Sequence, residues 1–326
     1  MSLDADLIVD RRRMRRKLTF WRVLAIVVAI VAIGALASAL APRNLSTPGL
    51  HQIARVNISG LIRNSTERTK ALADLSKASY VSAVIVHVDS PGGTVAGSEQ
   101  LYHSLRQVAR DKPTVVVVDG LAASGGYIAA MSSDHVVAQD TSLVGSIGVL
   151  FQYPNVADLL KTIGVQVETV RSTPLKAAPN GFEPTSPEAK AAMEAIVMDT
   201  YAWFKDMVQD RRKLAGEGLD KVVDGRVFTG RQAIALKLID QIGDEQTAID
   251  WLAKEKGIDA KLPVREWRLN PRLSDLSFLH LATATVLDAV GLTGLAQRFT
   301  DTGSVQALER LNLDGLLALW HPPGAN

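Results

Sequence analysis

The chain has 326 residues, of which 47% are apolar and 21% are charged, which is enough apolar material for a folded core in one or two domains. It contains no cysteine, which excludes a disulfide scaffold, a thiolate nucleophile, a cysteine-ligated zinc site and an iron–sulfur cluster. The net charge is +2, but residues 1–22 alone carry +4, so the remaining chain is slightly acidic at −2. An acidic body argues against nucleic-acid binding, which needs a basic face on the folded domain.

The N-terminus combines a basic arm, residues 1–22, with an apolar run. Residues 23–41 (VLAIVVAIVAIGALASALA) carry no charge. As a helix this run spans about 28 Å, close to the thickness of the bilayer hydrocarbon. We expect a transmembrane anchor in the lipid bilayer, with the basic arm in the cytoplasm and the body exported. A signal peptide cleaved after the Ala-Leu-Ala of residues 39–41 is the alternative, and it exports the body as well.

After a polar linker at residues 42–50, strand and helix patterns alternate along the chain. The predicted elements are, in order, strand 53–58, helix 66–78, strand 83–88, helix 95–110, strand 114–118, helix 124–131, strand 135–138, strand 148–152, helix 156–163 and strand 165–170. Continuous apolar strands separated by helices predict a parallel, buried sheet and an α/β fold.

From residue 186 onward the pattern becomes mainly helical. Ser186 and Pro187 predict the N-cap and first turn of a long helix that reaches about Leu214. Thr229 and Gln232 form a capping-box pattern, which predicts the start of another helix. Residues 269–326 are rich in leucine and alanine, hold no second run long enough to span a bilayer, and are predicted to be a helical extension for packing or subunit contact.

Two of the predicted strands end in glycine-rich turns. Strand 83–88 leads into DSPGG at residues 89–93, and strand 114–118 leads into a turn that contains AASGG at residues 122–126. A serine between small residues at a strand-to-helix turn is a nucleophile geometry, and both turns can offer backbone N–H groups to an oxyanion. The alternative is that Ser124 only caps a helix. Neither turn matches the dinucleotide-binding pattern G-x-G-x-x-G.

A serine nucleophile needs a general base. Histidine is the usual choice, but no Ser…Asp…His arrangement stands out among the six histidines, which are His51, His87, His103, His135, His280 and His321. A lysine serves instead when a desolvated surround keeps it neutral. Lys176 lies in the uncharged segment PLKAAP at residues 174–179, although most loop lysines are solvated and inert.

In their order and spacing these motifs resemble the signal peptide peptidase A family of membrane-anchored bacterial serine–lysine peptidases. The resemblance covers residues from about 53 to 255, and it is carried by DSPGG at 89–93, ASGGY at 123–127, GSIGV at 145–149, Lys176, and GRVFTG at 225–230. It implies a Clp-protease/crotonase-like fold with a repeated β-β-α core and parallel sheets, and a serine peptidase domain over residues 51–268. Residues 225–230 have a structural interpretation of their own, a turn followed by a capped helix.

The resemblance also implies an active site, a substrate and an assembly. The implied site residues are Ser124 as nucleophile, Lys176 as general base and acid, the N–H groups of Gly92 or Gly93 and of Gly125 as oxyanion donors, and Ser146 as a residue lining the site. No metal or cofactor is implied. The implied substrates are signal peptides left in the membrane after preprotein processing. The implied assembly is a homo-oligomeric ring at the bacterial inner membrane, with the catalytic domain outside and with serine and lysine able to come from neighbouring subunits.

Two other functions remain open on the same fold. A crotonase-like acyl-CoA enzyme also uses glycine turns as an oxyanion site, but it predicts a CoA-binding site and no need for Ser124. A non-catalytic membrane scaffold predicts that an acylating serine probe leaves Ser124 unlabelled. Labelling and peptide cleavage therefore distinguish the three functions.

Overall fold

The computed structural model describes residues 51–269, together with Lys17, Trp21, Arg22 and the short strand Leu317–Leu319. Residues 51–269 and the strand Leu317–Leu319 belong to one compact unit. The predicted anchor and linker lie outside the described residues, as does the predicted C-terminal extension apart from its strand. Among the helices of the described residues, none is both long and apolar enough to cross a membrane.

An eight-stranded sheet and a separate two-stranded sheet contain the described strands. The strands are β1 (Gln52–Ser59), β2 (Val81–Ser90), β3 (Gly92–Thr94), β4 (Thr114–Ala123), β5 (His135–Ala138), β6 (Leu143–Gly145), β7 (Val227–Thr229), β8 (Gln241–Ile242), β9 (Val264–Glu266) and β10 (Leu317–Leu319). The main path of the large sheet runs β7-β6-β4-β2-β1-β9, with β5 paired to both β4 and β8. Its pairs are parallel except for β6 with β7.

Helices connect most of these strands. The helices are α1 (Thr66–Lys77), α2 (Val95–Asp111), α3 (Gly125–Ala130), α4 (Ala157–Thr162), α5 (Pro187–Arg212), α6 (Glu217–Asp220), α7 (Gly230–Ala235) and α8 (Glu245–Lys256). The predicted caps are confirmed: the Ser186 side chain accepts from the N–H of Ala189, and Thr229 and Gln232 complete a capping box. The predicted capped helix after residues 225–230 is confirmed, but Val227–Thr229 form strand β7 rather than part of a turn.

The large sheet is buried on both faces, which confirms the predicted α/β fold with a parallel sheet. Alternate residues of β2 point to opposite faces, as the period of a strand requires. Val84 and Val86 belong to the larger apolar cluster, whereas Ala83 and Ile85 belong to a second cluster that Leu252 of α8 helps to cover. A sheet covered on both sides has near-continuous apolar strands, and that is the pattern the sequence shows.

Two predicted strands are wrong. Residues 148–152 and 165–170 contain no strand of the sheet, and the region instead contributes β6 at Leu143–Gly145. Val165, Val167 and Val170 alternate in sequence as a strand would, but all three are exposed, Val170 completely. β-branched residues favour extended backbone, but a strand also needs a neighbouring strand for its backbone groups, and these residues have none.

Candidate active site

Ser124 lies at the junction between β4 and the short helix α3. Its backbone has φ 54° and ψ −116°, a left-handed conformation that a residue with a side chain adopts only under strain. The side chain is buried, with 1% of its surface exposed, and among the described residues its Oγ has no hydrogen-bond partner. A buried hydroxyl without a partner costs free energy, so it is a position where a function is expected to justify the cost.

The end of β6 holds the Ser124 backbone in this conformation. β4 pairs with β6 so that Ala123 lies opposite Gly145, and the Ser124 N–H donates a 2.7 Å hydrogen bond to the Gly145 carbonyl. Ser146 follows at once, also with a positive φ of 52°. Its N–H donates 2.8 Å to the carbonyl of Arg226. The structure thus brings Ser146 next to the turn that carries Ser124.

The glycine-rich turn at residues 89–93 lies next to the Ser124 turn, on the side opposite β6. β2 pairs with β4 with Ser90 opposite Ala122, so the two predicted turns are neighbours. A Cβ added to Gly126 would lie 2.5 Å from the Ser90 carbonyl oxygen, so only glycine allows α3 to approach β2 this closely. The contact fixes the distance between the Ser124 turn and the strand Gly92–Thr94.

Ser90 orders the glycines that follow it. Its side chain is buried; the Oγ donates to the Gly60 carbonyl at 2.7 Å and accepts from the Gly92 N–H at 3.1 Å. Because the Gly92 N–H is already bound, of the two predicted alternatives Gly93 is the better placed to donate to a substrate. A Cβ on Gly93 would lie 1.9 Å from the Ile62 carbonyl oxygen, which excludes any side chain there.

Gly125 is the residue directly after Ser124 and the first residue of α3. An N–H at that position in a helix has no intrahelical acceptor, and none of the described residues accepts a hydrogen bond from it. Gly125 is therefore free to donate at the Ser124 turn.

Lys176 is not hydrogen-bonded to Ser124 within one chain. It lies in a turn between α4 and α5, where its backbone N–H donates to the Thr173 carbonyl at 3.1 Å. The side chain is exposed, and in the described part of the chain it makes no hydrogen bond or ion pair. Since the Ser124 Oγ also lacks a partner, the two predicted catalytic groups are not hydrogen-bonded to each other in a single copy.

Residues 151–185, which carry Lys176 and which we call the arm, expose much apolar surface. Leu159 and Ile163 of this segment are 61% and 62% exposed, and α4 has no buried residue. The arm is nevertheless ordered near its base: Tyr153 Oη lies 2.6 Å from Thr185 Oγ1. Exposed apolar surface of this kind marks an interaction site.

In residues 51–269 no histidine is hydrogen-bonded to Ser124, and the hydrogen bond between His51 and Ser82 does not involve the nucleophile. His87 lies between two carboxylates instead, with Nδ1 2.9 Å from Asp119 and Nε2 2.8 Å from Glu245. No group of three His, Cys, Asp or Glu side chains that could hold a metal ion occurs among the residues described. Two contributions escaped the sequence analysis, the Ser90 hydroxyl and the Arg226 carbonyl, although both residues lie in the stretches that carried the family resemblance.

Comparisons with known proteins identify the family of the chain. Residues 106–259 match peptidase family S49. A candidate protease of Synechocystis sp. is 35% identical over 210 residues, which cover 64% of this chain and 76% of that one. A candidate signal peptide peptidase of Enterococcus faecium is 33% identical over 177 residues, covering 54% of this chain and 52% of its relative. A ClpP1 mutant from Listeria monocytogenes has a TM-score of 0.40 at 14% identity, covering 58% of this chain and 91% of that structure. With the Synechocystis protein matched over three quarters of its length, the chain belongs to peptidase family S49 and is related to the signal peptide peptidases of the SppA type.

Proposed function

We propose that this chain is a membrane-anchored serine endopeptidase whose nucleophile is Ser124 and whose general base is Lys176. The observation that carries the proposal is Ser124, whose side chain is buried and has no hydrogen-bond partner in the described part of the chain, and whose backbone is held at a positive φ between the ends of β2 and β6. The strained backbone of Ser124 costs about 1–3 kcal/mol, and its buried, unpaired hydroxyl costs about as much again. A role in catalysis explains why the fold keeps both. Family membership supports the same assignment.

The proposed reaction is acyl transfer. Neutral Lys176 removes the proton from the Ser124 hydroxyl while Oγ attacks the peptide carbonyl carbon, and the resulting oxyanion accepts hydrogen bonds from Gly93 and Gly125. The lysine ammonium then gives its proton to the leaving amine as the C–N bond breaks. A water molecule, deprotonated by the same amine, attacks the acyl carbon, and the Ser124 Oγ leaves with the returned proton. No step needs a metal or an organic cofactor.

In this proposal the lysine comes from a neighbouring copy of the chain. Among the residues that the structure describes, neither the Ser124 Oγ nor the Lys176 amine has a partner, and Lys176 is carried on the exposed, apolar arm. Docking of the arm on a second copy would bury that apolar surface and remove Lys176 from water, which favours its neutral form. A ring of such contacts gives every serine a lysine.

The proposed substrates are signal peptides that remain in the bilayer after preprotein processing. The relative named as a candidate signal peptide peptidase supports this substrate class, and so does the apolar run at residues 23–41, which would keep the enzyme at the membrane. In this proposal the catalytic domain lies outside the bacterial inner membrane, and the excess of basic residues before the run supports that orientation.

A test is to treat the full chain with a fluorophosphonate probe and to measure cleavage of an apolar peptide. Wild type should be labelled at Ser124 and should cleave. Ser124→Ala and Lys176→Ala should do neither, and Lys176→Arg should also be inactive because arginine stays charged. Ser104→Ala, a serine on α2 that bonds the Gln100 carbonyl, is the matched control and should behave as wild type. Cleavage by Ser124→Ala would refute the assignment.

A further inference from the structure

Residues 171–183, which we call the lysine loop because Lys176 lies near its middle, begin at an unusual side chain. From residue 161 to residue 177 every residue is exposed except Arg171. The Arg171 side chain, five residues before Lys176, is only 16% exposed. Arginine is rarely buried unless it is paired, so this burial indicates a specific contact.

That contact is an ion pair across the base of the lysine loop. Arg171 Nη2 donates to Glu183 Oε1, which also accepts from Asn180 Nδ2 at 3.2 Å. The Glu183 carbonyl accepts from Asn155 Nδ2 at 3.0 Å, just before helix α4. The pair therefore joins the two ends of the lysine loop, and Asn155 attaches that base to the rest of the arm.

The tip of the lysine loop is a strained turn. The Lys176 N–H donates to the Thr173 carbonyl, and the Ala178 N–H donates to the Leu175 carbonyl at 3.3 Å. Between them Ala177 has a φ of 57°, a left-handed conformation that a residue with a side chain seldom adopts. Such a residue persists only where the surrounding structure fixes it, and closure of the loop at its base supplies a constraint of this kind.

The tip and the base face one cavity of about 300 Å³. Pro174 and Ala178, on either side of Lys176 in the sequence, line this cavity together with Arg171 and Glu183. Because a cavity rather than a packed core lies beside the turn, the position of the turn depends on the residues that close the loop.

Stability alone is a poor explanation of the ion pair. The Glu183 side chain is 38% exposed, and ion pairs in contact with water contribute little to the free energy of unfolding. The Arg171 Nε is buried and has no hydrogen-bond partner among the described residues, which is a cost. A role in the reaction explains why a costly arginine lies so close in sequence to the proposed general base.

We propose that Arg171 and Glu183 are positioning residues for Lys176, and that their ion pair closes the lysine loop so that the amine reaches the Ser124 hydroxyl of a neighbouring copy. The inference rests on the proposed function, in which Lys176 is the general base. Neither residue touches the substrate, since both act through the lysine. A misplacement of about 1 Å at a reacting group lowers the rate about a hundredfold. A loosened loop would also hydrate the amine, which favours its charged form.

The test exchanges the two charges in the full chain. Arg171→Glu and Glu183→Arg each place like charges at the base of the loop, and the double variant restores the pair in reverse. We expect each single variant to lower kcat about a hundredfold with KM nearly unchanged, because the lysine acts in the chemical step. The acid limb of the kcat–pH profile should move to higher pH. The double variant should recover about tenfold in kcat and move the limb back.

The matched control is Glu217→Arg, which breaks an exposed ion pair with Lys221 at the end of α6 and should behave as wild type. A wild-type kcat in both single variants would overturn the proposal, and so would a double variant no more active than the single ones. Glu183→Ala removes the pair without adding a like charge. It should lower kcat about tenfold while sedimentation velocity shows the wild-type assembly, and an unchanged kcat would overturn the proposal.

Hydrogen exchange separates this inference from the peptidase assignment. In the Ser124→Ala background, where no cleavage is expected, Arg171→Glu should speed exchange of the Lys176 and Ala178 amides about tenfold, and the double variant should reverse this. Unchanged exchange in Arg171→Glu would overturn the inference. Cleavage by a Lys176→Ala chain would refute the proposed function, even where exchange shows that the ion pair closes the loop.

Discussion

The Ser124 N–H donates a 2.7 Å hydrogen bond to the carbonyl of Gly145. This bond joins the turn that carries the proposed nucleophile to the end of β6, which antiparallel β7 supports in turn. The positive φ of Ser124 is therefore maintained by neighbouring strands rather than by the six-residue helix that follows it. Because neighbouring strands hold this turn, Ser124 can keep its strained backbone conformation, and a nucleophile at a strand-to-helix turn needs such a fixed position.

This strain predicts a difference between two inactive variants. Ser124→Ala and Ser124→Gly both remove the hydroxyl, but only glycine adopts φ 54° without steric cost. We expect Ser124→Gly to be more stable than Ser124→Ala by about 1 kcal/mol in urea unfolding. A Ser124→Ala chain at least as stable as Ser124→Gly would show that the turn is unstrained.

Ser90 is predicted to position the oxyanion donors. Ser90→Ala leaves the Gly92 N–H and the Gly60 carbonyl without their buried partner, so the glycine turn should lose its fixed geometry. We expect kcat to fall about tenfold with little change in KM, because the oxyanion forms only in the reaction. The control is Ser133→Ala. Ser133 is also buried, and its hydroxyl contacts two backbone carbonyls, those of Ala130 and His135, rather than the glycine turn. Equal losses of kcat in the two variants would contradict a positioning role.

The carboxylate of Glu245 predicts a pH-dependent contribution to stability. Hydrogen bonds from Arg55, at 2.5 Å, lower the pKa of Glu245, and His87 at 2.8 Å acts in the same direction. A lowered folded-state pKa stabilises the fold above the ordinary pKa of a glutamate, and this stabilisation is lost as the pH falls through the folded value.

We therefore expect Glu245→Gln to cost about 1 kcal/mol at pH 7 and progressively less below about pH 4. Urea unfolding at pH 7 and pH 3.5 measures this. Glu255→Gln on the same helix, whose contact with Lys254 is an exposed one of 3.7 Å, should cost little at either pH. A cost for Glu245→Gln that stays constant with pH would contradict the account.

The exposed apolar side chains of the arm are predicted to lie in the interface between copies. Ile163→Asp puts a charge at a position that is 62% exposed in one copy, so the single chain should fold normally while the assembly dissociates. Thr162→Asp, at the adjacent exposed residue, is the control. Sedimentation velocity should show monomer for Ile163→Asp, with peptidase activity reduced at least a hundredfold. If the Ile163→Asp protein assembles fully, the arm does not lie in the interface between copies.

Local patterns predicted the core of this fold well. The buried strands and the caps at Ser186 and Thr229 follow from apolar runs and from side-chain hydrogen bonds that are close in sequence. β4 was predicted to end at residue 118, because Asp119 and Gly120 are typical of a strand end. It continues to Ala123 because β6 pairs with its last three residues, and that pairing depends on tertiary structure.

The candidate site was only partly accessible to the same reasoning. The family resemblance gave the residues, but the position of Lys176 relative to Ser124 depends on the path of the arm, which no local pattern specifies. The pairing of β10 with β3 joins segments far apart in the sequence, so periodicity contains no sign of it.

The most direct test of the central claim mixes two inactive chains. Ser124→Ala keeps the lysine and Lys176→Ala keeps the serine, so neither should cleave peptide alone. If the dyad forms between neighbouring copies, random co-assembly in equal amounts restores about one junction in four, and activity should return to about a quarter of the wild-type value. A mixture that co-assembles and stays inactive, or cleavage by either chain alone, would contradict the account.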